Sequence, residues 1–304
     1  MGLMVVLCLI WALQQISLKA VASEASPMLM VGVRSLIAAM LVAVLMWRRR
    51  ERLSPVRRGP GAIVGALFGL EYLLAAEALR LTNASHVIVF LYTAPIFAAL
   101  GLHLRLKAER LNVVQWLGIA LAFGGVAWAF LSGLQAADRS GAQQALWGDA
   151  LALAAGMAWG ATTVTIRCSS LSSAPATEML LYQLLGAVVL LLPASAFLGQ
   201  WTITPSWTLV AHLSFQSIVV SLASFLAWCW LLRRYLASQL GVFAFLTPLF
   251  GVVLGAWLLH ESLERHFVVG SLLVIAGIAM VSCHAVIRRG WKVLLLSLGW
   301  APAW

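Results

Sequence analysis

Two ionisable residues stand where an apolar chain gives them no water. Glu71 lies near the middle of the apolar run 60–80, and Arg34 about two turns into the run 27–47. A charge at mid-membrane depth costs about 2.5–3.5 kcal/mol on insertion scales, so such a residue should face a cavity or a partner. Glu71 can serve as a proton site or as a ligand for an amine; equally, it can be a structural carboxylate paired with Arg34 or hydrogen-bonded to a neighbouring helix. Arg34 can snorkel outward, pair with a carboxylate of the chain, or hold a solute carboxylate by a bidentate contact. Glu77, closer to the end of the same run, can reach water.

Tryptophans supply the second set of candidates. Trp11 and Trp159 fall in the middle of apolar runs, too deep for the interfacial belt to which Trp47, Trp147, Trp201, Trp207 and Trp291 are suited. Gln15 follows Trp11 by one helical turn and Thr163 follows Trp159 by one turn, each pair on one helix face. Two aromatic-plus-polar stripes facing each other would make an amphipathic cavity wall; packing of the indoles in a bundle is the alternative. Tyr72, His86, Tyr92, Tyr182 and Gln183 can add polar groups to such a wall. Ser217, Ser221 and Ser224 recur every three or four residues, a pattern that lets helices approach, with Ser221 also a candidate for the cavity. The series Gly61, Gly65, Gly69, the pair Gly156, Gly160 and the pair Gly251, Gly255 are further close-packing signals.

The elements that must position these residues are membrane spans. Of 304 residues, 62% are hydrophobic and only 10% charged, against about 25% charged in soluble proteins. That excludes a soluble enzyme, a disordered chain and a secreted disulfide scaffold. A span needs about 20 mostly apolar residues. The runs 1–20, 27–47, 60–80, 84–104, 112–131, 146–167, 176–198, 207–232, 238–259 and 266–287 predict ten spans. The N-terminal run has no Lys or Arg before Lys19 and no convincing cleavage site, so it reads as a retained span rather than a signal peptide. The longest loop, 132–145, holds Asp138 and Arg139. The C-terminal tail, including 291–304, is too short to span and would lie at the interface.

The net charge of +10 follows this topology. With the N-terminus cytoplasmic, the clusters Arg48 to Arg58, Arg105 to Arg110, Arg167, Arg233 with Arg234 and Arg288 to Lys292 all fall inside. Lys19, Arg80, Arg139 and Arg265 fall outside, so of the twenty basic residues fifteen are cytoplasmic, four are outside and Arg34 lies within a span. The charge is an orientation device facing anionic lipid, not a nucleic-acid surface. Cys8, Cys168, Cys229 and Cys283 are scattered singly as packing residues, and no metal spacing is present.

The chain also repeats itself. Trp11-x7-Lys19 matches Trp159-x7-Arg167, and Pro27 matches Pro175. Ala84-Ser85 matches Ala237-Ser238, and Pro95 matches Pro248. Glu109-x-Leu111 matches Glu261-x-Leu263, and Gly118 and Gly125 match Gly270 and Gly277, all at an offset near 150. Two halves of five spans, 1–140 and 145–290, follow. Five is odd, so the second half enters the membrane from the opposite side. Inverted repeats are a signature of secondary carriers, with the substrate near the midplane where the halves meet. Pro95 and Pro248 interrupt equivalent spans, either as paired hinges or as fixed kinks.

Several of these motifs together resemble a known family. The W-x7-K/R opening, the R-S-L-I-A-A run from Arg34, A-L-x-x-T-x-A-S from Ala78 to Ser85, the Pro95 helix and E-x-L-x-x-x-Q-x-x-G from Glu109 to Gly118 are similar to the drug/metabolite transporter superfamily, and most of all to its EamA branch. The resemblance covers residues 1–290. It implies an all-α integral membrane protein of ten transmembrane helices, two inverted five-helix repeats around a central cavity, with the fifth helix of each half outside it. It also implies export across the bacterial inner membrane.

No Walker loop, H-E-x-x-H, Asp-rich metal motif or T-V-G-Y-G filter occurs in the sequence. No enzyme activity, metal or cofactor is therefore expected. Basic residues at midplane depth are too few for a nucleotide sugar or sugar phosphate. The expectation is an alternating-access exporter of small amphipathic metabolites, amino acids including aromatic ones, with protons as a candidate coupling ion and both termini cytoplasmic. In this reading the aromatic wall takes the side chain, Arg34 or backbone amides take a carboxylate, and Glu71 takes an amine or a proton. Efflux of cationic or aromatic drugs is the alternative within transport. A non-transporting membrane enzyme or scaffold is the alternative outside it, and predicts a dry bundle centre.

Overall fold

The computed structural model describes residues 2–107, 110–135, 142–234, 246–261 and 263–297. Side chains are described throughout these except at 130–135, 142, 229, 232–234 and 282–297. Glu109, Asp138, Arg139, the Ala237-Ser238 landmark and the start of the predicted ninth span lie outside the described residues. Described residues fold entirely as helices and connections, with one isolated bridge between Ala25 and Ile203. Seven helical stretches are long and apolar enough to cross a membrane. Three shorter apolar helices, Val113–Ala129, Leu246–Leu258 and Arg265–Val281, fall on the predicted fifth, ninth and tenth spans.

In chain order the helices are α1 (Gly2–Ala20), α2 (Pro27–Arg48), α3 (Arg58–Leu81), α4 (Ala84–Leu91), α5 (Ala94–Arg105), α6 (Val113–Gln135), α7 (Ala142–Arg167), α8 (Ala176–Phe197), α9 (Trp207–Ser214), α10 (Phe225–Arg234), α11 (Leu246–Leu258) and α12 (Arg265–Ser297). Their ends follow local chemistry. Ser26 caps α2, accepting from Leu29 N at 3.1 Å, with Pro27 in the first turn, where a missing N–H costs nothing. Ser206 caps α9 through Leu209 N at 2.9 Å. Glu261 caps α4 from a distant part of the chain, accepting from Ala84 N and Ser85 N. Lys19 binds the carbonyls of Leu79 and Thr82 at the end of α3, where a cation suits the helix dipole.

Three departures from plain spans stand out. The predicted fourth span breaks at Tyr92–Thr93 into α4 and α5, because Pro95 supplies no N–H and disfavours helical backbone just before it. Thr93 Oγ1 donates at 2.6 Å to the carbonyl of Phe90, which also accepts from Thr93 N at 3.2 Å. The eighth span carries a π-helical segment, Phe215–Ser224, between α9 and α10. The tenth continues without a break to Ser297, past the predicted end at 287.

The glycine series act as close-packing surfaces. α3 crosses α8 at Gly65 and Gly186, where a Cβ on Gly186 would lie 2.0 Å from the Gly65 carbonyl oxygen. Gly186→Val is therefore expected to overpack this crossing and cost about 3 kcal/mol or more. Gly59→Ala, with nothing within 4 Å of the added Cβ, should be neutral. Thermal melts of the detergent-solubilised variants check both. α6 pairs with α12 through Gly118 against the Gly277 carbonyl and Gly125 against the Gly270 carbonyl, at 2.9 and 2.6 Å from the would-be Cβ atoms.

The outward faces are apolar. Trp47, Trp147, Trp201 and Trp207 are all exposed, at 78, 63, 53 and 89% of their surface, as a belt position requires; the Trp291 side chain lies outside the described set. Trp11 and Trp159 are half-buried instead.

Candidate functional site

Where α1, α2, α3 and the π segment meet, four helices bury a ring of polar side chains. Arg34, only 1% exposed, donates from Nη1 to Gln216 Oε1. Gln216 Nε2 donates to the Gln14 carbonyl at 2.7 Å. Gln14 Nε2 donates to Tyr72 Oη at 3.1 Å. The ring closes where the Arg34 guanidinium stands 4.8 Å above the Tyr72 ring centroid, a cation–π contact. Glu71, 4% exposed and next to Tyr72 in the chain, lies within electrostatic range of Arg34.

The ring leaves polar atoms over. Arg34 Nε, Glu71 Oε2, Gln15 Oε1 and Ser221 Oγ are buried without a hydrogen-bond partner among the described residues. Thr247, buried on α11, lies within side-chain hydrogen-bond reach of Cys8 and Tyr92. Unpaired buried polar atoms cost about 1–3 kcal/mol each, more when charged, so several on neighbouring elements call for an explanation. They comprise a donor on a cation, an acceptor on an anion and neutral oxygens. That set can take a small solute carrying both charges.

An aromatic shell surrounds this centre. Trp11 Nε1 donates to Ser224 Oγ at 3.0 Å, and its ring meets Trp228 edge-on with centroids 5.4 Å apart. Phe68 packs against Tyr72 at 4.8 Å and Phe225 at 6.3 Å. Tyr92, buried at the break between α4 and α5, meets Trp159 edge-on at 5.1 Å. Both mid-span tryptophans thus belong to the aromatic shell, each through an edge-on ring contact. Thr163 Oγ1 donates to the Trp159 carbonyl on its own helix at 3.2 Å.

Other expected site residues are engaged elsewhere. His86 Nδ1 pairs with Asp149 at 2.9 Å, and its ring stacks on Phe267 at 3.6 Å, joining α4 to α7 and α12. Thr82 Oγ1 donates to the same carboxylate at 2.9 Å. Tyr182 lies against Gly61, near Arg57, Arg58 and Glu178 at the basic end of the bundle. Gln183 is half-buried beside it on α8. Glu77 binds Arg80 at 2.8 Å and also Gln200. Pro95 sits at the helix break. Pro248 lies two residues into α11, whose preceding residues are outside the described set.

Sequence reasoning missed Gln14, Gln216, Ser224, Trp228 and Thr247. The only available signal was the amphipathic continuation of known stripes: Gln14 is next to Gln15, and Ser224 ends the serine series. Nothing in the sequence singled out Gln216.

Described residues that form membrane-length helices around a buried, incompletely satisfied polar centre define a polytopic integral membrane protein. The EamA-like transporter family model matches residues 1–131 and 146–283, and the chain belongs to this family of membrane transporters. The uncharacterized transporter YoaV of Bacillus subtilis is 25% identical over 279 residues, 90% of this chain and 92% of that protein. A probable amino-acid metabolite efflux pump of Salmonella typhimurium is 25% identical over 93% of this chain and 95% of its own length. The uncharacterized protein PA1977 of Pseudomonas aeruginosa reaches 30% identity over 82% of each chain. A solved crystal structure shares the fold at TM-score 0.64 and 17% identity, covering 94% of this chain and 97% of that one.

Proposed function

We propose that this protein is a secondary, alternating-access transporter that exports small zwitterionic amphipathic metabolites, amino acids including aromatic ones. The observation that carries this reading is the pair of buried, incompletely partnered charges Arg34 and Glu71 inside an aromatic shell. Arg34 Nε takes the carboxylate, Glu71 Oε2 and Gln15 Oε1 take the ammonium, and the shell takes the side chain. The name of the Salmonella relative supports the amino-acid class.

The architecture proposed to carry out this transport is two inverted five-helix repeats, 1–140 and 145–290, with an interfacial tail over 291–304. Two features support it. The family model matches each part separately. The α6–α12 contact is also symmetric: Gly118 and Gly270 are equivalent in the repeat, as are Gly125 and Gly277, and each faces the other's counterpart. Rocking of the halves about the centre, with the broken helix at Pro95 and its counterpart at Pro248 as hinges, exposes the site to one side at a time. Charge placement supports cytoplasmic termini, and the inner-membrane transporter YedA of Escherichia coli, 25% identical, supports a bacterial inner-membrane location. Glu71 is the proton-exchanging group in this account.

Efflux of aromatic cations is the second reading, favoured by the unpartnered Glu71 Oε2 among aromatic rings. Counterflow in proteoliposomes separates the two. Labelled phenylalanine should exchange while labelled methyl viologen does not; the reverse result selects drug efflux.

Trp11 and Trp159 have a distinct signature in the same assay. Trp11→Ala should raise KM for an aromatic amino acid about three- to tenfold, the range of an aromatic pair, and leave a small one such as alanine nearly unchanged. Equal loss for both would assign the indole to packing.

A further inference from the structure

We infer that Gln216 is the specificity-determining residue of this site, because its neutral amide holds Arg34 available for a substrate carboxylate. The inference rests on the zwitterion reading above and goes beyond it in naming what keeps the two charges of the site apart.

Gln216 is fully buried. Its amide orientation is not free, because Nε2 is committed to the Gln14 carbonyl at 2.7 Å and Oε1 is therefore left to Arg34 Nη1. The Tyr72 ring supports the other side of the guanidinium, and Gln14 Nε2 fixes the Tyr72 hydroxyl at 3.1 Å. Arg34 is thus gripped by two uncharged groups, while Nε, and Oε2 of Glu71, remain without partners. An arginine with freedom to turn would be expected to close on a buried carboxylate within electrostatic range. Gln216 prevents that without adding charge.

The backbone around Gln216 is built for this. Bonding from i to i+5 over Phe215–Ser224 brings Gln216 and Ser221, both buried, closer in angle than the about 140° that an α-helix would put between them. Single π turns are frequent at functional sites. Gln216 is also the ring's sole member from the second half of the chain; Gln14, Arg34 and Tyr72 all come from the first. The carboxylate anchor is therefore aimed by the opposite half, and movement of the halves would change the anchor's direction.

The charge arithmetic sets the specificity. With a glutamine at 216, Arg34 and Glu71 balance, and a zwitterion fits. With a carboxylate at 216, Arg34 is neutralised from behind and Glu71 is left as surplus negative charge, which suits a cation lacking a carboxylate. Phenylalanine and phenethylamine differ by that carboxylate alone, so the ratio of their kcat/KM values in proteoliposomes is the readout. The wild-type protein should favour phenylalanine. Gln216→Glu should lower the ratio by about 30-fold or more, the effect of a lost buried charge contact, and turn the preference to the amine. Gln216→Met removes the grip without adding charge. It should lower the ratio about tenfold by raising KM for phenylalanine, and it covers the case in which the carboxylate variant does not fold. Equal losses for both substrates in the folded variants, leaving the ratio unchanged, would overturn the inference while the zwitterion reading stands. A wild-type protein that carries the amine and not phenylalanine would overturn that reading, and this inference with it.

Discussion

Arg34→Gln is expected to abolish transport of carboxylate-bearing substrates and to cost about 3–5 kcal/mol of stability, the penalty of leaving a buried charge without its compensating partner. The uncompensated group is Glu71, 4% exposed, whose Oε2 already lacks a partner among the described residues. The substitution also takes the donor from Gln216 and the cation from above the Tyr72 ring. The double variant Arg34→Gln/Glu71→Gln should recover most of the stability, because both charges are then gone, yet remain inactive. A double-mutant cycle on thermal melts in detergent gives the coupling energy. Additive losses would show that the two charges do not compensate each other, and a transporting single variant would remove Arg34 from the binding site. Arg34→Lys should keep the fold better than Arg34→Gln but still lose most activity, since an ammonium cannot make the planar contacts to Gln216 and a carboxylate together.

The second large effect concerns protons. Glu71→Gln keeps the size of the side chain and cannot exchange a proton. If Glu71 couples substrate to protons, the variant's flux should become independent of pH across the range where the wild type varies, while accumulation against a gradient is lost. Because Arg34 then loses its compensating charge, a stability loss comparable to that of Arg34→Gln accompanies the change, so flux is normalised to the amount of folded protein in the proteoliposomes. Flux measured at several fixed pH values, with equal pH on both sides, isolates this effect. A pH profile identical to wild type would remove Glu71 from the coupling step and leave it as an ammonium ligand alone.

The parts of this architecture legible in the sequence are those that the bilayer dictates. Apolar runs marked the helices, because a lipid solvent forces every backbone group into internal hydrogen bonds. Pro95 marked the break between α4 and α5 for the same covalent reason that makes any proline a helix breaker. The glycine series marked surfaces that the structure uses: Gly61, Gly65 and Gly69 all face α8. Arg34 and Glu71 were visible because a charge in an apolar run is expensive.

What stayed illegible is equally physical. Whether Arg34 pairs with Glu71 or reaches past it depends on Gln216, 182 residues away, and a lone glutamine in an apolar run carries no periodic signal. The π segment was hidden because its serines, three and four apart, fit an α-helical stripe equally well. His86 read as one more polar group for a cavity wall; its attachment to Asp149 and Phe267 is set by how α7 and α12 pack around α4, which no local pattern encodes.

The central claim is that a zwitterion bridges Arg34 and Glu71 during transport. Uptake of labelled phenylalanine into proteoliposomes, with and without an imposed pH gradient, tests it most directly when phenethylamine and 3-phenylpropionate are added as competitors. The account predicts saturable phenylalanine flux that responds to the gradient and is inhibited weakly by either single-charge analogue. Full inhibition by the amine alone, or no phenylalanine flux at any gradient, would contradict it.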